Sequence, residues 1–137
     1  MLVIKKFFVY WLPPLVWMGL IYFLSSFHKL QASPVGWQDF VVRKSAHFLE
    51  YAVLFILVNR GFVFTFNLPL KKRLLLALLI TVFYTVTDEF HQTKVNGRTG
   101  RPFDIGVDSL GAIGGLLFVV KLIKFLPDKL RKIIVNN

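Results

Sequence analysis

The stretch LLLALLITVFYTVT at Leu74–Thr87, followed at once by DEFHQ at Asp88–Gln92, decides the fold class of this chain. The first part carries no charge, and a long apolar run is typical of a helix that spans a membrane. The second part places ionisable and amide side chains at the end of that span, where each charge costs about 2.5–3.5 kcal/mol on insertion scales. Such residues usually face the interior of a helix bundle, so the stretch predicts a span with a polar site at one end.

The composition of the whole chain agrees with the membrane class. The chain has 137 residues, of which 55% are hydrophobic, and its mean hydropathy is +0.62. A soluble domain of this size does not carry that much apolar surface. The net charge of +10 lies between apolar spans and not on one solvated face, so we expect no nucleic-acid partner. Cysteine is absent, which excludes disulfides, thiolate metal sites and a cysteine nucleophile.

Four apolar stretches are long enough to cross a membrane, at about 7–26, 47–66, 74–92 and 105–126. Each span must be helical, because lipid offers the backbone no hydrogen bonds. The sequence therefore predicts an all-α integral membrane protein, with one domain over residues 1–137 and a bundle of four transmembrane helices in the cell membrane. We expect the first span to be retained and not cleaved as a signal peptide. Pro13 and Pro14 should kink this span or divide it.

The distribution of lysine and arginine predicts that both termini are cytoplasmic. With that orientation, eleven of the 17 basic residues lie on the inner side and six on the outer side. The six are Lys29, Arg43, Lys44, Lys94, Arg98 and Arg101. The start of the second span, the end of the third and the start of the fourth then share the outer side. Three polar clusters that are distant in sequence are therefore expected to meet there.

Each of these clusters has the spacing of one helix face, with residues three or four apart. The clusters are Lys44, His47, Glu50 and Tyr51; Asp88, His91 and Gln92; and Asp104 and Asp108. The last stripe continues through Gly111 and Gly115, a small-xxx-small pattern that lets a neighbouring helix approach closely. The loop after the third span has turn-forming Asn96-Gly97 and Thr99-Gly100. It should hold Arg98 and Arg101 above the carboxylates, where guanidinium groups suit carboxylate or phosphate contacts.

Several kinds of chemistry remain open for this set. Histidine and carboxylate can act as general acid and base, while arginine and lysine hold a phosphate. The sequence requires no cofactor, but His47, His91 and Asp88 could bind a divalent metal, for which zinc and manganese suit these ligand types best. Metal binding would weaken as pH falls, since imidazole must be neutral to ligate. In a structural reading, the same groups only neutralise one another and lock the bundle. Ion transport is disfavoured, because the charges cluster at one end.

The ordered motifs K-x-x-H-F-x-E-Y at Lys44–Tyr51, D-E-x-H-Q at Asp88–Gln92, Gly97-Arg98 and D-x-x-x-D-x-x-G at Asp104–Gly111 resemble the VanZ-like family. Leu24-Ser25-Ser26 also resembles the family pattern, whereas Asn96 stands where the family pattern leads us to expect proline. The resemblance covers the whole chain. It implies a small multi-spanning envelope protein related to resistance to teicoplanin, a lipoglycopeptide antibiotic.

The resemblance and the residues together favour a polar pocket that binds or modifies an amphiphile with a polar or anionic head. A membrane lipid, a lipid-linked wall precursor or a lipoglycopeptide would suit this pocket. The alternative is a non-catalytic structural or binding module that alters envelope access, so enzymatic activity is left open. The candidate catalytic residues are His47, Glu50, Asp88, Glu89, His91 and Asp108. The candidate ligand-binding residues are Lys44, Tyr51, Gln92, Arg98, Arg101 and Asp104.

Overall fold

The chain folds into long helices, as the hydropathy predicts. The computed structural model describes residues 2–27, 35–95 and 102–135, and these ranges contain no strand. In chain order the helices are α1 (Leu2–Ser25), α2 (Gly36–Thr65), α3 (Leu70–Gln92), α4 (Pro102–Leu117) and α5 (Asp128–Val135). After α4 the chain continues as a π-helical segment, Phe118–Leu122, and a 3₁₀ turn, Ile123–Phe125. The first four helices are long and apolar enough to span a membrane, which confirms an all-α, multi-pass membrane protein.

Helix α2 begins well before the apolar span that the sequence predicted at 47–66. Its first turns contain polar side chains that lower the hydropathy, yet they favour a helix locally. Arg43 Nη2 lies 2.7 Å from Asp39 Oδ2, one turn earlier on the same helix. The 30 residues of α2 extend about 45 Å at 1.5 Å per residue, which exceeds the hydrocarbon thickness. Helix α4 likewise begins earlier than expected, with Pro102 in the first turn, where proline is tolerated.

Helix α1 is continuous through Pro13 and Pro14, so the prolines, which were expected to kink the span or divide it, do not divide it. Packing against α2 on both sides of the prolines accounts for this. Trp11 Nε1 donates a hydrogen bond to Thr65 Oγ1 at 3.1 Å. Trp17 Nε1 donates to the backbone carbonyl of Glu50 at 2.9 Å. Contacts with neighbouring helices allow proline inside membrane helices, because they offset the lost backbone hydrogen bonds.

Helix α2 lies at the centre of the bundle and packs against α1, α3 and α4. Its side chains Tyr51, Leu54, Phe55 and Val58 are fully buried and belong to the hydrophobic core. The outward faces carry many large apolar side chains, and Phe83 on α3 is 70% exposed. Exposed apolar surface on this scale is what a lipid environment requires and what water disfavours.

Helices α2 and α4 pack closely because α4 presents glycine at the contact. A Cβ atom placed on Gly111 would collide with the backbone carbonyl oxygen of Phe48. A Cβ atom on Gly115 would lie 2.5 Å from the carbonyl oxygen of Ala52 and 3.1 Å from Cβ of Phe55. This agrees with the expectation that the glycine stripe of the last span packs inward.

The polar clusters meet at one end of the bundle, which is here called the polar end. The alternating direction of α2, α3 and α4 brings together the first half of α2, the last turns of α3 and the first turns of α4. Tyr51 hydrogen-bonds Asp88, and Lys44 pairs with Asp104. The side of the membrane that this end faces stays a prediction from the lysine and arginine count.

Candidate functional site

The centre of the polar end is a buried carboxylate that is held from two sides. The hydroxyl of Tyr51 on α2 donates a hydrogen bond to Asp88 Oδ2 at 3.0 Å. Gln92 Nε2, one turn after Asp88 on α3, donates to the same oxygen at 2.8 Å. Tyr51 is fully buried and Asp88 is 2% exposed. Both donors therefore fix the orientation of this carboxylate, while Asp88 Oδ1 accepts no hydrogen bond from the described residues.

A second buried carboxylate lies opposite a histidine. Nδ1 of His47 on α2 is 3.5 Å from Oδ1 of Asp108 on α4 and 3.9 Å from Oε2 of Glu50. Asp108 is 1% exposed, and neither of its carboxylate oxygens has a hydrogen-bond partner among the described residues. The imidazole is therefore placed to exchange a proton with a carboxylate or to ligate a cation beside one.

His47, Asp88 and Asp108 form one compact group, which is here called the His–Asp–Asp group. Each of the three residues offers one potential ligand atom, and these atoms all lie within 4.8 Å of one another. The three residues come from α2, α3 and α4, so the group depends on tertiary packing. One imidazole and two carboxylates are a donor set that suits zinc or manganese.

A more exposed ion pair lies next to this group. Lys44 Nζ on α2 is 2.6 Å from Asp104 Oδ1 at the start of α4, and each side chain is about one fifth exposed. Lys44 also lies 5.9 Å from the ring centre of Phe40. The ammonium group of Lys44 is thus partly accessible at the surface of the helix bundle, and Lys44 lies one helical turn before His47.

An open groove of about 460 Å³ runs along α2 beside Lys44. Its lining is almost entirely apolar, apart from the ammonium of Lys44 and the hydroxyl of Ser45, and it is here called the α2/α4 groove. The lining residues are Phe40, Val41, Lys44, Ser45, Phe48, Leu49 and Val107. Val107 is adjacent in sequence to Asp108, so the groove and the His–Asp–Asp group are neighbours.

The sequence matches a known protein family over most of its length. The family model described as VanZ/LLP1 matches residues 3–124. The chain belongs to the VanZ/LLP1 family. This confirms the resemblance of the motifs, and the matched region includes the first four helices but not α5. Comparisons with curated proteins and with solved structures give no match.

His91 of this VanZ/LLP1 protein lies apart from the His–Asp–Asp group. Its Nε2 is 2.9 Å from Oγ of Ser26 at the end of α1, and its ring packs on Tyr22 with 4.1 Å between ring centres. The sequence suggested His47, His91 and Asp88 as a possible metal set. In the structure Asp108 completes the set with His47 and Asp88, and His91 joins α3 to α1 instead.

The remaining sequence candidates divide into three classes. Glu50 lies beside His47, and Glu89 is buried on α3 next to Asp88. Lys44 and Asp104 are close to the group but pair with each other. Arg98 and Arg101, which were expected above the carboxylates, lie outside the described residues.

Some residues of the polar end were not predicted as functional. Ser26 was noted only as part of a motif, and nothing in the sequence paired it with His91. The apolar lining of the α2/α4 groove was also missed, because Phe40 and Val41 precede the span predicted at 47–66 and Phe48 was noted only as part of a motif. Pairing of the α2 and α4 faces through Gly111 was the available indication that a groove would form beside them.

Proposed function

We propose that this VanZ/LLP1 protein binds the polar, anionic head of a membrane amphiphile at the polar end, with the apolar tail in the α2/α4 groove. The observation that carries the proposal is the position of Lys44, which lines the groove and lies one turn from His47. Lipid-like ligands need such a pairing, in which a mostly apolar cleft ends at a few polar groups that fix the head.

We propose that the ligand is a molecule of the cell envelope. If the polar end faces outward, an accessible anionic amphiphile would be a phospholipid head group, a lipid-linked wall precursor or a lipoglycopeptide tail. Binding or modification of such a molecule is the route by which we propose that the protein alters susceptibility to teicoplanin-type antibiotics. Whether the ligand is only held or also changed depends on His47, Asp88 and Asp108, which lie beyond the head-group entrance.

A binding measurement in nanodiscs tests whether the protein prefers anionic amphiphiles. The probes are phosphatidic acid and a polyprenyl phosphate, with phosphatidylcholine as a zwitterionic reference. Lys44→Gln removes the cation and Ser45→Trp fills the groove. Each should weaken binding of both anionic probes about tenfold, equivalent to about 1.4 kcal/mol. Leu79→Trp, on a lipid-facing position of α3 that is 55% exposed, is the matched control and should change nothing. Equal affinity for all three lipids, or equal loss in the control, would sink the proposal.

A turnover assay then separates an enzyme from a binding module. Membrane lipid extract is incubated with the protein in detergent, and the lipids are followed by mass spectrometry. An enzyme should yield a new lipid product with wild type and lose it with Asp88→Asn. Binding without any product would favour the alternative, a non-catalytic module that alters envelope access.

A further inference from the structure

We propose that His47, Asp88 and Asp108 bind one divalent transition-metal cation between α2, α3 and α4. Zinc and manganese fit the donor set. The inference deepens the proposed function, because the cation would lie where the amphiphile head enters. It rests on that function only for its purpose, since a metal site can be measured without any lipid.

The separations within the group are close to those of a zinc site. Zinc binds nitrogen and oxygen ligands at about 2.0–2.2 Å, which puts two ligand atoms of a tetrahedral site about 3.4 Å apart. The ligand atoms of the His–Asp–Asp group lie within 4.8 Å of one another, and His47 Nδ1 is 3.5 Å from Asp108 Oδ1. Ligation would therefore shorten the longest of these separations by at most about 1.4 Å.

The unsatisfied polar atoms of the group favour cation binding. Oδ2 of Asp108 and Oδ1 of Asp88 are buried and have no hydrogen-bond partner within residues 2–27, 35–95 and 102–135. Nδ1 of His47 and Oδ1 of Asp108 also lack a hydrogen bond there, and they face each other at 3.5 Å. Buried polar atoms are normally satisfied, and an unpaired buried charge is costly. A cation at the centre of the group would give every one of these residues a partner.

Asp88 has the arrangement of a carboxylate that is oriented to ligate a metal. Its Oδ2 receives hydrogen bonds from Tyr51 and Gln92, at 3.0 and 2.8 Å, which leaves Oδ1 for a different partner. Ligating carboxylates are commonly held in this way by hydrogen-bond donors around the metal. A carboxylate that served only to join α2 and α3 would not need its second oxygen buried and unpaired.

The charges around the group also favour a cation. Asp88 and Asp108 place two buried carboxylates in the group, whereas the nearby Lys44 is paired with Asp104 at 2.6 Å. A divalent ion with neutral His47 balances the charges of Asp88 and Asp108. Three protein ligands leave one coordination position for water or a head-group oxygen, as in metal sites that act on a ligand.

The metal content and metal affinity of the protein test whether the His–Asp–Asp group binds a cation. The tag is removed, the protein is stripped with chelator in detergent, and Zn²⁺, Mn²⁺ or Co²⁺ is titrated by calorimetry. Wild type should bind one ion per chain, and Co²⁺ should give a visible absorption spectrum of nitrogen and oxygen ligation. Asp108→Asn and His47→Ala should weaken metal binding at least about 100-fold, because each removes a ligand. Tyr51→Phe should weaken it about tenfold, because Asp88 loses a hydrogen bond that orients it. His91→Ala is the matched control and should keep wild-type affinity.

The fold of each variant is checked in chelator by circular dichroism, which should show the helix content and the single unfolding transition of stripped wild type. For Tyr51→Phe the transition should come at a lower temperature, because this variant loses a buried hydrogen bond. If a variant fails this check, the titration and the Co²⁺ spectrum of wild type still decide whether one ion binds per chain and with which coordination geometry. Absence of binding and of any thermal shift in wild type would overturn the proposal, as would loss of binding in His91→Ala. Because no lipid is present, metal binding can fail while the amphiphile assay succeeds, and the reverse.

Discussion

The hydroxyl of Tyr51 and the carboxylate of Asp88 form a buried hydrogen bond, 3.0 Å long, that joins α2 to α3 inside the membrane-spanning bundle. Gln92 shares the same acceptor oxygen from one turn along α3. Each of these three side chains was a candidate site residue from its helical spacing. In the structure the three side chains meet, and two of them donate to a single oxygen, Oδ2 of Asp88.

Removal of the Tyr51 hydroxyl should destabilise the protein. Tyr51→Phe keeps the ring in the core but takes one donor from Asp88, which should lower the free energy of unfolding by about 1–3 kcal/mol. Thermal unfolding in detergent, followed by circular dichroism, measures the change. Tyr22→Phe removes the same atom from a side chain that is 52% exposed and should have little effect. An equal loss in both variants would contradict a special role for the buried bond.

The glycines of α4 should differ sharply in their tolerance of a methyl group. Gly111→Ala and Gly115→Ala put Cβ against the backbone of α2, which cannot rotate away, so each should cost about 1–3 kcal/mol as overpacking. Gly106→Ala lies on the same helix, where a Cβ would have no neighbour within 4 Å, and should be neutral or slightly stabilising. Thermal unfolding of the three variants ranks them. Similar melting temperatures for all three would mean that α2 and α4 are not closely packed.

Hydropathy and helical spacing were enough to predict the bundle and the meeting of the polar clusters. Consecutive spans run in opposite directions, so residues at the start of one and the end of the next must share a side. That rule places Lys44, Tyr51, Asp88 and Asp104 at one end of the bundle, where Lys44 pairs with Asp104 and Tyr51 with Asp88. Hydropathy did not predict where α2 starts, because polar residues such as Asp39 and Arg43 lower the hydropathy without breaking the helix.

The direction of His91 could not be read from the sequence. Asp88 and His91 are three residues apart, which is about 60° of rotation around a helix, and either can face a given neighbour. Only the placement of α1 beside α3 determines that His91 meets Ser26 while Asp88 faces Tyr51. Spacing within one helix therefore predicts a face, but the partner helix on each side of that face comes from packing.

The pair formed by Lys44 and Asp104 should show coupling between α2 and α4. Reversal of one charge, Lys44→Glu, should lower stability by about 0.5–1 kcal/mol, and the second reversal, Asp104→Lys, should restore most of it. Reversal of Arg131, whose partner Asp128 is 76% exposed on α5, should cost less. Thermal unfolding at low and high salt measures both cases. A double variant no better than the single one would mean that the pair is not formed.

Cysteine labelling should place the polar end outside the cell. The chain has no cysteine, so a single introduced thiol is a clean probe. Thr93→Cys, exposed just after α3, should react with a membrane-impermeant maleimide on intact cells, whereas Lys129→Cys on α5 should react only after permeabilisation. The physical reason is that lysine and arginine favour the cytoplasmic side, where this orientation places eleven of the 17 basic residues. Labelling of both thiols after permeabilisation confirms that each is reactive. The reverse pattern on intact cells would turn the His–Asp–Asp group toward the cytosol, and an envelope precursor or an extracellular antibiotic could then no longer be its ligand.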